Sequence, residues 1–390
     1  LFRYNFVMKK IFFILFILLS FYAVYQVPFY LNQQIIDEEK EVILRLNKAL
    51  SVDSSYEELT FKWFSLNEFI IDPELHFKNI SLRLNEEDMN PLLVERFSLK
   101  INLLSSVINR SLVLKSILID GSELLFTHNE NKGFLMNQIP LKQFFILKKK
   151  KINRPSLELK NIKANANDLK SIQKGFGVQS ILQSKESEFY INLYWSTLPR
   201  RHEILNATGT AEVKIKNGEI DTKKRIPGKA LGLLSISELP KRLLLDFSDL
   251  FSNEFSFDRM NGNFSFKDGL AYTCNLTIKS APADVVIIGA TDTKKRQYNQ
   301  MAIVQPAVSD MLPMGGAMLG GPAAAASVFL FTKLFRRPLK DVGLAYYSID
   351  GDWNQPVITD ISKDINLSMI ENCNNFIPDV IVSEELHNNP

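Results

Sequence analysis

The stretch Leu270-Ala271-Tyr272-Thr273-Cys274-Asn275-Leu276-Thr277-Ile278-Lys279 decides how the chain reads. Leu270, Tyr272, Cys274, Leu276 and Ile278 alternate with Ala271, Thr273, Asn275, Thr277 and Lys279. A period of two places one set on an apolar surface and the other on water. The same period recurs upstream in Phe97, Leu99, Ile101 and Leu103, in Phe189, Ile191, Leu193 and Trp195, and in Ala211, Val213 and Ile215. Asp120-Gly121, Asn217-Gly218, Asn261-Gly262 and Asp268-Gly269 stand beside these runs, as hairpin turns do. The pattern predicts an antiparallel β meander. No succession of strand, Gly-rich loop and helix is present, which argues against a nucleotide-binding fold.

Composition narrows the class further. A hydrophobic content of 46% with 23% charged residues is that of a folded protein, not a disordered one. The net charge of +3 arises from evenly mixed signs, so no nucleic-acid surface is expected. The 28 phenylalanines suit strands with large apolar faces.

The N-terminal region carries a membrane signal. No charged residue occurs from Ile11 to Ile36, Arg3, Lys9 and Lys10 precede that run, and Asp37, Glu38, Glu39 and Glu41 follow it. About 20 apolar residues span a bilayer, and the basic flank belongs on the cytoplasmic side. Residues 1–10 therefore read as a cytoplasmic basic segment and 11–31 as a transmembrane anchor, with Ile11, Phe12, Phe13, Leu15 and Leu18 in lipid. Met8-Lys9-Lys10 before the apolar run is the usual opening of an exported protein. Residues near Ser20 are bulky where a signal peptidase needs small ones, which favours an anchor over a cleaved signal. Residues 32–50 follow as an amphipathic helix, with Ile35, Ile36, Val42, Ile43, Leu46 and Leu50 at near-helical spacing.

Downstream, residues 51–147 read as a first β-rich part and 148–185 as a seam. That seam opens on Lys148 to Lys151 and has little dense apolar pattern. Residues 186–360 form a second β-rich part with helical insertions at 229–251 and 306–337, and 361–390 are a tail. The first insertion gathers leucines around Pro240, the pattern of two short helices. In the second, Met311 to Thr332 carries no charge and includes Gly315, Gly316, Gly320, Gly321 and Ala323 to Ala326. Three readings are open for it: helices against the protein or a membrane surface, plain core helices, or a second span. On the first, Leu312, Met314, Met318, Phe329 and Phe331 meet lipid, and Arg336 and Arg337 meet headgroups.

Catalytic constellations are absent from the sequence. His76, His128, His202 and His387 are far apart, and no metal-ligand spacing, Gly-x-Ser-x-Gly elbow or phosphate-cradling loop occurs. Asp246, Asp249 and Asp258 read as caps and turn-formers. No enzyme activity, cofactor or metal is expected. Cys274 and Cys373 could pair in an oxidising compartment, but two distant cysteines make no disulfide framework and read as separate small apolar residues.

The stretch from Arg225 to Phe251, then Phe255-Ser256-Phe257-Asp258, Gly262 and Lys267-Asp268-Gly269 follow one another in a specific order. Ser280-Ala281-Pro282-Ala283-Asp284, Gly289, Val304-Gln305-Pro306, Leu312-Pro313 and Tyr347-Ser348-Ile349-Asp350-Gly351-Asp352-Trp353 continue it. This series resembles the C-terminal end of the YhdP-type family within the AsmA-like superfamily. An anchor, Trp63, Pro73-Glu74-Leu75 and Pro91-Leu92-Leu93 resemble its opening more weakly. Glu254 departs from the family's usual Gly. Family members are commonly several times longer, and their long middle is missing at the seam.

The resemblance implies a mainly β fold with flanking helices: an elongated, strongly bent antiparallel sheet whose apolar inner face forms an open groove for acyl chains. It implies a single-pass inner-membrane protein with its bulk in the periplasm. Its partners would be membrane phospholipids and other envelope proteins, and its role phospholipid movement between inner and outer membranes. Phe97, Leu99, Ile101, Phe189, Ile191, Leu193, Leu276 and Ile278 are the expected groove lining. The alternative for these residues is an ordinary sandwich core, in a non-conducting envelope scaffold or assembly factor.

Overall fold

The computed structural model describes residues 19, 22, 40, 41, 44, 53–62, 72–83, 91–109, 113–129, 133–137, 139–140, 154–175, 182–221, 254–281, 283–306, 322–335, 344–353 and 356–376. The chain divides into two compact units, residues 1–120 with 150–156 and residues 121–149 with 157–390.

In the first unit β1 (Asp53–Ser55) and β2 (Glu58–Lys62) both pair antiparallel with β3 (Glu74–Arg83), which pairs with β4 (Leu92–Ile101). Leu75 lies opposite Leu99 and Phe77 opposite Phe97, with the two Phe rings 5.9 Å apart. Asn79, at φ 49, shifts the β3 alternation by one residue, so that Ile80 and not residue 79 continues the buried side. Helix α1 (Leu103–Asn109) follows, and β5 (Leu114–Asn129) begins here.

The second unit contains β6 (Gly133–Met136), β7 (Ile139–Pro140), β8 (Ser156–Ala166), α2 (Leu169–Gly175) and β9 (Leu182–Gln183). Then come β10 (Glu186–Trp195), a 3-10 turn at Arg201–Asn206, β11 (Thr208–Asp221), β12 (Glu254–Lys267), β13 (Leu270–Lys279) and β14 (Ala283–Asp292). β15 (Gln297–Pro306), α3 (Pro322–Phe335), β16 (Ala345–Asp352), β17 (Val357–Asp360) and α4 (Leu367–Phe376) complete it. β8 pairs with β10, and from β10 to β17 each strand pairs antiparallel with the next. β8, α2 and β9 all fall in the segment read as a seam.

The meander is as expected, but its turns are not. Only Asp268-Gly269 makes a hairpin turn, with φ of 55 and 86. Asp120-Gly121, Asn217-Gly218 and Asn261-Gly262 lie inside long strands. In a strand, glycine marks a bulge or a close approach. A Cβ on Gly218 would sit 2.2 Å from the Phe257 ring, and one on Gly262 would sit 2.9 Å from Leu276 Cδ1. The missing side chains make room for neighbours.

The run 270–279 also departs from expectation. Its pairing with β14 shifts register between Thr273 and Leu276, and its pairing with β12 shifts between Asn261 and Ser265. One extra residue reverses the side chains that follow. Cys274 therefore joins one apolar cluster while Leu276 and Ile278 join the other, and Leu270 is left exposed.

The cluster containing Cys274 is roofed by α3 and α4. Ser327, Leu330 and Phe331 form the buried stripe of α3, at helical spacing. Ile370 and Cys373 do the same for α4, which starts where Asn366 Oδ1 accepts the Met369 amide at 3.2 Å. Ser327 Oγ and Tyr346 OH meet at 2.7 Å inside this layer. The reading of Cys274 and Cys373 as separate residues is overturned: they form a disulfide, Cα atoms 5.1 Å apart, which ties α4 to β13. Ninety-nine residues of separation hid the pair, since only the folded sheet brings α4 over β13.

Leu19, Tyr22, Lys40, Glu41 and Leu44 are helical and exposed. The anchor residues Ile11, Phe12, Phe13, Leu15 and Leu18 and the insertion 229–251 lie outside the described residues. No helix among the described residues is long and apolar enough to cross a membrane.

Candidate functional site

One apolar face runs across β8 and β10 to β17 in the second unit. Directly opposed residues share a face, so the registers trace it strand by strand. Ile162 on β8 faces Ile191, Ile191 faces Ala211, and Ala211 faces Phe264. Farther along, Ile278 faces Val285, Val285 faces Val304, and Val304 faces Ala345. Phe255, Met260, Ile287, Ala302, Tyr347, Ile349 and Ile358 belong to the same cluster.

Burial along this face is graded. From β13 to β15, Leu276, Ile278, Val285, Ile287, Ala302 and Val304 are at most 1% exposed. On β10 and β11, Phe189, Leu193, Ala211 and Val213 pack against the cluster but stay half-buried. Leu169 from α2 and Leu205 from the 3-10 turn flank that half-buried part. The face is therefore tightly filled from β13 to β15 and half-open at Phe189, Leu193, Ala211 and Val213, while Ile215 and Ile220 farther along β11 are only 1% exposed.

Five of the eight lining candidates, Phe189, Ile191, Leu193, Leu276 and Ile278, thus share this face. Phe97, Leu99 and Ile101 lie on β4 in the first unit, where Phe97 and Leu99 are buried and Ile101 is half-buried. β14 to β16 also build this face, outside the expected lining. Val285-Val286-Ile287-Ile288 has no alternation because the strand is buried on both faces, Val285 and Ile287 on this one and Val286 and Ile288 beneath α3 and α4. An unbroken apolar run of that length was the available signal.

Of the residues expected at a membrane, Phe329 is exposed on α3, while Phe331 is fully buried and stacks on Phe335 at 4.5 Å. Phe331 therefore packs on protein. Two residues further along a helix a side chain turns to the opposite flank. Leu312, Met314, Met318, Arg336 and Arg337 lie outside the described residues.

No group of three or more His, Cys, Asp or Glu could hold a metal among the described residues. His76 serves structure in the first unit: its Nδ1 lies 2.8 Å from Ser98 Oγ. Burial, its largest influence, lowers its pKa from 6.5. A folded-state value below the unfolded one makes protonation favour unfolding. Stability of this unit should be full above pH 6.5 and fall as pH drops from there toward the lower folded value. Urea titrations at stepped pH should show this slope, and His76→Gln should flatten it. An unchanged slope would place the dependence elsewhere.

The model of the YhdP protein family matches residues 148–358. The intermembrane phospholipid transporter YhdP of Escherichia coli (strain K12) is 25% identical over 215 residues, 54% of this chain. The chain spans 17% of that relative's length in the match. No solved structure matches the chain. The matched segment holds nearly all of the strands that build the apolar face, and the chain belongs to the YhdP protein family.

Proposed function

We propose that this chain binds phospholipid acyl chains on the apolar face of its second unit and takes part in moving phospholipid between the inner and outer membranes. One observation carries the reading: a single apolar face spanning nine strands is half-open at Phe189, Leu193, Ala211 and Val213. Each CH₂ of an acyl chain taken out of water contributes about 0.8 kcal/mol, and an aliphatic and aromatic face supplies that without a headgroup pocket. The relative's name, an intermembrane phospholipid transporter, agrees with this use.

Placement outside the cytoplasm draws support from the Cys274–Cys373 disulfide, because such bonds persist in oxidising compartments and are rare in reducing ones. Residues 11–31 are proposed as the inner-membrane anchor that holds the bulk in the periplasm, and Phe329 as a residue exposed to lipid. Other envelope proteins are proposed as further partners. A second reading, a non-conducting scaffold, is favoured by the fully buried packing of β13 to β15.

Purification of the full chain in mild detergent followed by lipid mass spectrometry separates the two. Phospholipid should accompany the native chain. Phe189→Glu together with Leu193→Glu should remove most of it while circular dichroism stays unchanged. Absence of lipid from the native chain, or its retention by the variant, would decide for the scaffold.

A further inference from the structure

The opposite face of β10 to β12 carries a feature that the acyl face does not use. At this end of the strands lies a cleft of about 530 Å³, lined by Lys185, Lys214, Lys216 and Arg259 against only two carboxylates, Glu186 and Glu188. Its size is within the range of small-ligand sites, about 300–1,000 Å³.

Register explains where the charge comes from. Glu186 lies opposite Lys216, Lys216 opposite Arg259, and Arg259 opposite Lys279, so three cations stand side by side on adjacent strands. Like charges directly opposed across strands destabilise a sheet. Neighbouring acids relieve only part of this. Glu186 Oε2 is 3.7 Å from Lys216, Glu212 takes Lys214 at 2.9 Å, and Glu188 accepts the Tyr190 hydroxyl at 3.1 Å. Arg259, Lys279 and Lys185 have no ion-pair partner among the described residues.

We infer that this cleft is a phosphate-binding site, with Arg259 and Lys216 as its principal ligands. The planar guanidinium of Arg259 offers paired donors that match phosphate oxygens, and Lys216 beside it adds a point charge. Asn261, in line with Lys214 across the strands, adds a neutral donor at the cleft wall, while the Asn165 amide there already donates to Glu123 at 2.9 Å. An anion held there would neutralise the row that the sheet otherwise leaves uncompensated. The phosphate could belong to a lipid headgroup or be free in solution. The site is on the other side of the strands from the acyl face, so it stands or falls separately.

The test titrates the full chain, in nonionic detergent, with inorganic phosphate and separately with a short-chain phosphatidylglycerol, with short-chain phosphatidylcholine as reference. Binding of either anion should weaken about tenfold or more in Arg259→Gln, as for loss of a charge-assisted hydrogen bond. Lys216→Gln should weaken it as well, and Lys295→Gln, outside the cleft, should leave it unchanged. Phosphate binding alone identifies a free anion. Stronger binding of phosphatidylglycerol than of phosphatidylcholine, lost in Arg259→Gln, identifies a headgroup. Failure of both anions to bind, or equal binding by Arg259→Gln with an unchanged melting curve, overturns the assignment. Both side chains are exposed, so the substitutions should leave the fold intact.

Discussion

Replacement of Cys274 and Cys373 together by alanine should lower the unfolding free energy of the second unit by about 4–5 kcal/mol. The disulfide closes a loop whose ends are 99 residues apart, and closing a loop of about 100 residues removes chain entropy worth roughly 4.7 kcal/mol from the unfolded state. That loop encloses β14, β15, α3, β16 and β17. Without the bond, α4 would be held over β13 by Ile370 and its apolar neighbours alone. Urea unfolding followed by tryptophan fluorescence measures the loss. Reduction with dithiothreitol should bring the native chain close to the variant and leave the variant unmoved. Equal midpoints for oxidised native chain and variant would mean that α4 packing needs no covalent tie.

Leu276→Asp should have the other large effect, loss of the folded second unit. Leu276 is 0% exposed, faces Ile287, and its Cδ1 fills the space that Gly262 leaves open. Truncating a buried leucine to alanine already costs about 2–5 kcal/mol. An uncompensated carboxylate in the same place adds several more, against a total stability of about 5–15 kcal/mol for a typical domain. Leu276→Ala should therefore fold with a lowered urea midpoint, while Leu276→Asp should fail to give a cooperative transition. Leu193→Asp, on the half-open part of the same face, should unfold close to the native midpoint. If Leu276→Asp were as stable as Leu193→Asp, the graded burial of the face would be wrong.

The contrast between these leucines shows where periodicity stops being informative. Both stand in alternating runs, and their spacing makes them look equivalent. Phe189, Ile191 and Leu193 do keep to one face, because β10 stays in regular register with β11. In β13 the bulge turns Cys274 away from Leu276, and no residue type announces it. The Asn-Gly pairs misled for a related reason. A hairpin and a close approach both select glycine, and only the neighbouring Phe257 ring or Leu276 side chain distinguishes them. The cationic row was equally hidden, since Lys216, Arg259 and Lys279 become neighbours only through pairing.

The strand period, the apolar character of one face and the ordered family blocks were already determined by the sequence, since local alternation and residue order need no tertiary contact to be read. Which strands carry two buried faces, which cysteines bond and which part of the apolar face remains accessible were decided only in the folded chain. Those properties depend on registers and bulges that join residues far apart in sequence. The run 270–279 contains both lessons: its alternation correctly marks a strand, while its bulge divides the side chains between a helix-covered core and the face proposed to take lipid.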